Sequence, residues 1–174
     1  MSPIARPSNS APGSRSAAAD PAEKARLKGL QGKIAIANAK LAYQMYQRIF
    51  RDERWQRLAQ QGAQTQRLLW ASTGTKNKAY SDVLYVEELI GPDTVNTMPP
   101  ATMDAFRDHG RPRRSLEEDV PAAEAAMKAL AQAGVSIDQI TARLVDDGVK
   151  LFAEAADHLY AAVEQRRGLA DHRR

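Results

Sequence analysis

At 174 residues, with 43% hydrophobic content and no cysteine, the chain suits one domain with a modest core or part of a larger one. The missing cysteines exclude a disulfide framework and thiolate metal sites, as fits a reducing cytoplasm. No window approaches the roughly 18 to 20 unbroken apolar residues of a membrane-spanning helix. The formal charge is only +4, gathered at the two ends and in "RPRR", so neither membrane nor nucleic acid is an expected partner.

In chain order, residues 1–21 are Ser, Pro, Ala and Arg with almost no large apolar side chain, the composition of a disordered tail. No apolar block for a secretory signal is present. The Arg-rich, acid-poor character fits an organelle transit peptide, but the amphipathic periodicity of one is missing. Residues 22–167 read as the folded part, and 168–174 as a frayed tail. Leu27, Leu30, Ile34, Leu41, Met45 and Ile49 recur at helical steps, predicting a helix over 23–50. A short helix over 51–61 should stop at Gly62. The unbroken apolar run at 67–71 predicts a strand covered on both faces. Asp82 is placed to cap a helix over 83–90 that Gly91 ends.

A second short strand over 94–98 stops at Pro99-Pro100, which should open a helix through Arg107 ending at Gly110. Strand, helix, strand implies a parallel crossover unit. Asp119 with Pro121 predicts a further helix ending at Gly134. Ser136 and Gln139 have capping-box spacing. Val145, Val149, Phe152, Ala156, Leu159 and Val163 then step four, three, four, three, four, the stripe of a packed amphipathic helix. The fold class is thus α/β, mostly helical, with two clear parallel strands.

Sites in parallel α/β folds lie beyond the carboxyl ends of the strands. Ser72, Thr73, Gly74, Thr75 and Lys76 follow the first strand there, and hydroxyls, backbone N–H groups and a lysine can hold a phosphate. The sequence is not a Walker A pattern, and on spacing alone these residues read more readily as a solvated connecting loop. Asn96 and Thr97 end the second strand, where Asn96 either meets a ligand or braces the turn. Lys33 falls on a helical stripe and reads as solvated. No other lysine stands in an apolar setting of the kind that prepares a nucleophile. His109, His158 and His172 lack ligand spacing, so no metal is expected. Residues 111–115, "RPRRS", read as a wet charged loop, and Glu117 and Glu118 as acids at a helix N-terminus.

The segments "GKIAIANAKLAYQMYQRIF", "RLLWASTGTKNKAYSDVLYVEELIGPDTVNTMP" and "ATMDAFRDHG" resemble the C-terminal part of bacterial transaldolases of the longer type. The resemblance implies part of a (β/α)8 barrel, with the long C-terminal helices packed back across it. It also implies transfer of a dihydroxyacetone unit between sugar phosphates of the pentose phosphate pathway, through a lysine Schiff base and without a cofactor. In that frame Ser72 and Lys76 receive the substrate phosphate, while Thr73, Asn96 and Thr97 line the barrel mouth. The family's Schiff-base lysine belongs to an earlier strand that matches nothing in these residues. The resemblance therefore implies a truncated or split form, without a catalytic residue of its own. Such a form is paired with an N-terminal fragment or with itself. The alternative is a catalytically inactive helical interaction protein.

Overall fold

The computed structural model describes residues 21–171. Residues 1–20 of the tail expected over 1–21 and residues 172–174 of the tail expected over 168–174 lie outside the described residues, while Pro21 and residues 168–171 are helical. Helices α1 (Pro21–Leu30) and α2 (Ile34–Arg51) divide the single helix expected over 23–50. The break is at Gly32, whose φ of +76° favours glycine; a Cβ there would meet the Tyr80 ring at 3.2 Å. Asp52 accepts from the Arg54 N–H and opens α3 (Glu53–Gln60), which stops at Gly62 with φ +90°.

Strands β1 (Leu68–Trp70) and β2 (Thr94–Asn96) are each three residues long and pair in parallel, Leu68 opposite Thr94 and Trp70 opposite Asn96. Helix α4 (Leu84–Glu88) lies in the connection between them. Then come α5 (Pro100–His109), a 3-10 turn at Ser115–Glu117, α6 (Val120–Gln132) and α7 (Ile137–Asp171).

Three expectations about burial need correction. Leu69 is 54% exposed, so β1 is covered on one face only. The buried face of α2 is not the aliphatic stripe: Met45 and Ile49 are exposed, while Ala37, Lys40, Tyr43 and Tyr46 are buried. Tyr rings carry more area than a Met or Ile side chain, and their hydroxyls need only one partner each; Tyr43 donates to the Pro92 carbonyl at 3.2 Å. The stripe on α7 is not packed either. Val145, Val149, Leu159 and Val163 are more than half exposed, and Phe152 is 82% exposed.

The core joins Tyr43, Tyr46, Leu89 and Leu116, with Ile36, Phe50, Leu68 and Trp70 packed against it. Tyr46, Phe50 and Trp55 continue it as an aromatic run with centroids 4.7 and 4.6 Å apart. Residues 111–114 are exposed and irregular, as expected of a wet loop, but Ser115 and Leu116 anchor the 111–118 strap in the core. Ser115 is fully buried; its hydroxyl accepts from the Ile90 N–H at 3.2 Å and donates to the Glu87 carbonyl. Arg113 pairs with Glu88 and Glu118 at 2.5 and 2.9 Å, and those hydrogen bonds hold its guanidinium above its ordinary range. Glu117 ends the 3-10 turn and stands before, not at, the N-terminus of α6; it accepts from Gln47 at 2.9 Å and from Arg114 at 2.8 Å, which keeps its carboxyl below the usual value.

Candidate functional site

The parallel pairing brings the two strand ends together. Thr97 donates its N–H to the Trp70 carbonyl at 2.9 Å, and its hydroxyl donates to the same oxygen at 3.0 Å. The Thr97 hydroxyl in turn accepts from the Ser72 N–H at 3.0 Å, and the Thr97 carbonyl accepts from the Thr73 N–H at 3.0 Å. Thr73 is buried, and its hydroxyl donates to Asn96 Oδ1 at 2.7 Å. Ser72, Thr73, Asn96 and Thr97 therefore form one hydrogen-bonded patch beyond the carboxyl ends of β1 and β2. Within it Asn96 braces Thr73 through its oxygen, while its amide nitrogen makes no hydrogen bond among the described residues.

Ser72 adopts φ +49°, a left-handed conformation that is uncommon outside glycine and costs energy unless its surroundings hold it. The bond from its N–H to Thr97 does so and leaves the exposed Ser72 hydroxyl without a partner among the described residues. Gly74 follows because space requires it. A Cβ there would stand 3.0 Å from Pro99 Cγ and 3.1 Å from Thr102 Oγ1, so α5 presses directly on the loop. Lys76 is exposed and has no ion pair among the described residues. Asn77 is structural, accepting from the Ala79 N–H at 2.9 Å. Asp82 does not cap α4, whose N-cap is Val83. It accepts instead from His109 at 2.9 Å, while Asp108 lies 3.1 Å from the other ring nitrogen. A concavity of about 260 Å³, lined in part by Leu69, Trp70, Ser72, Thr73 and Tyr85, opens beside the patch.

Two side chains sit otherwise than the sequence reading placed them. Lys40 is buried, against the expectation that no lysine lay in a desolvated setting; its Nζ donates to the Glu118 carbonyl at 3.1 Å and pairs with Glu88 at 3.5 Å. It lines an apolar cavity of about 380 Å³ beside α2 and α6, where its ammonium is already engaged and therefore braces α4 against the strap. The available signal was its place one turn after Ile36 and one before Tyr43. Thr75 is the other: its hydroxyl is enclosed with no hydrogen-bond partner among the described residues. Among the described residues no group of three or more His, Cys, Asp or Glu is placed to hold a metal. No described helix is long and apolar enough to cross a membrane.

Parallel strands with a helix in their connection, and a hydroxyl-rich loop with a lysine unpaired among the described residues beyond their carboxyl ends, define an α/β protein with a polar strand-end loop. The chain belongs to the transaldolase/fructose-6-phosphate aldolase family, which matches it over residues 14–163. It is 45% identical over 149 residues to a transaldolase of Trichodesmium erythraeum, covering 84% of this chain and 39% of that protein. It is 48% identical over 149 residues to transaldolase 2 of Nostoc punctiforme, with the same coverage. A transaldolase of Thiobacillus denitrificans is 50% identical over 134 residues, which are 77% of this chain and 37% of that one. The chain thus spans about two-fifths of the length of these relatives.

Proposed function

We propose that residues 22–167 form the C-terminal part of a transaldolase-type (β/α)8 barrel and supply the phosphate end of its sugar-phosphate site. Ser72 and Lys76 hold the phosphate, and Thr73, Asn96 and Thr97 shape the barrel mouth. The observation that carries this reading is the hydrogen-bonded joining of the two strand ends, followed in the chain by an exposed Ser72 hydroxyl and an exposed Lys76 that are both unpaired among the described residues. A hydroxyl and a cation on a fixed backbone favour a phosphate dianion through charge-assisted hydrogen bonds. The covalent step of dihydroxyacetone transfer, through a lysine Schiff base and without a cofactor, then belongs to the part of the relatives' length that these residues do not match. The setting is the cytoplasmic pentose phosphate pathway. On this reading residues 22–167 alone form no Schiff base with the sugar.

The test has two arms. Fructose 6-phosphate should bind the purified chain, and Ser72→Ala and Lys76→Met should each weaken it about tenfold, one charge-assisted hydrogen bond's worth. Borohydride with fructose 6-phosphate should leave no adduct on the chain alone; an adduct on any of its lysines would sink the division of labour. A second reading rests on the exposed side chains of Leu69 and α7. They suit an inactive helical interaction protein that docks on a complementary barrel fragment or on itself. Fragment binding without any sugar-phosphate affinity would select it.

A further inference from the structure

Thr75 sits the wrong way round for a residue of a solvated loop. The residue is partly buried, yet its hydroxyl oxygen is enclosed and unpaired among the described residues, so the part open to solvent is not the polar atom. A buried hydroxyl in that state forgoes the hydrogen bonds that water would give it. Threonine χ1 has three staggered wells, and one step exchanges hydroxyl with methyl or hydrogen. The backbone around it is not slack. Gly74 presses on Pro99 and Thr102, Ser72 is held by Thr97, and Asn77 fixes the turn into Ala79.

We propose that Thr75 is a ligand-responsive phosphate donor of this loop, a claim that rests on the sugar-phosphate reading above. Without ligand its hydroxyl is turned inward and unpaired. When a phosphate group seats against Ser72 and Lys76, one χ1 step carries the hydroxyl outward to donate to a phosphate oxygen. Ligand binding then removes a polar defect of the free protein as well as adding a contact. Lys76, beside it in sequence and without an ion pair, supplies the charge; Thr75 supplies a neutral donor that becomes available only on binding.

The test compares Thr75→Val, which keeps the branched shape and deletes the hydroxyl, with Thr75→Ser, which keeps the hydroxyl. The full 174-residue chain is used, with inorganic phosphate and fructose 6-phosphate as probes and chloride at matched ionic strength as control. Thr75→Val should raise the thermal midpoint measured without phosphate and weaken binding of both probes about tenfold. Thr75→Ser should bind within about twofold of the parent, the tolerance for a retained hydrogen bond. A parent that binds phosphate while Thr75→Val binds it equally well, or Thr75→Val with an unchanged or lowered midpoint, overturns the role of Thr75 alone. A parent that binds neither probe overturns the sugar-phosphate reading and this inference together.

Discussion

His109 ties the end of α5 to Asp82, the residue at which the Ser72–Lys76 loop turns into α4. The bond to Asp82, and secondarily the one to Asp108, raises His109 above its ordinary 6.5, and the His109 bond holds the Asp82 carboxyl below its ordinary 3.8. A raised histidine contributes its stabilisation fully below 6.5 and loses it as pH climbs through the raised value. A lowered aspartate contributes above 3.8 and loses it as pH falls through the lowered value. The clasp is therefore complete between these two ordinary values and opens on either side. Both groups are exposed, so the readout is titration rather than stability. The His109 ring followed by NMR should titrate above 6.5, fall back in Asp82→Asn, and fall less in Asp108→Asn. An unshifted ring in the parent would remove the clasp. Gly91 gives a steric counterpart. A Cβ there would stand 2.7 Å from Leu116 Cδ2, and Leu116 is fully buried, so neither can give way cheaply. Gly91→Ala should cost about 1–3 kcal/mol in denaturant unfolding, the range for an overpacked core.

At the scale of elements, α7 behaves differently from the rest. An isolated helix in water is marginal, and most helical stability comes from packing an apolar face. From Leu144 to Val163 that face is open, so hydrogen exchange should be fastest there and slowest in α2 and the strands. Phe152→Glu should shift the unfolding midpoint of the body by less than about 0.5 kcal/mol, as a surface substitution does. It should also lower the binding of a hydrophobic dye. A larger loss of stability would mean that the helix is packed. The start of this element was legible in the sequence: Ser136 Oγ accepts from the Gln139 N–H at 3.3 Å, as its spacing foretells. So were the ends at Gly62, Gly110 and Gly134 and the helix start at Pro100, because glycine and proline act through the local backbone alone. Burial was not legible. Periodicity marks Met45 and Val149 as apolar but is silent on which neighbour covers them, and it undervalued Tyr43, Tyr46 and Lys40 because each carries a polar atom. The candidate site was half legible. Its residues followed from strand ends, whereas the bonds of Thr73 to Asn96 and of His109 to Asp82 join positions more than 20 residues apart.

At the scale of the whole molecule, the open face of β1 and the open stripe of α7 are apolar surfaces of a kind that soluble proteins rarely leave contiguous. The strand pair is also short of a sheet that could stand alone, since two strands bury too little to close a core. Both features suit a complementary surface, and on the proposed reading that surface is the remaining strands and helices of a barrel. Mixing the chain with the unmatched N-terminal portion of the Thiobacillus denitrificans transaldolase, 50% identical over the shared part, should give a co-eluting complex. Such a contact would exceed the roughly 1,600 Å² of a standard interface, because it completes a core rather than touching two surfaces. The added N-terminal portion should then form a borohydride-trapped adduct with fructose 6-phosphate, and the adduct should weaken when this chain carries Ser72→Ala. Co-elution without an adduct would leave docking as the chain's role and remove the catalytic reading. Failure to co-elute at high salt, where apolar association is strongest, would remove both.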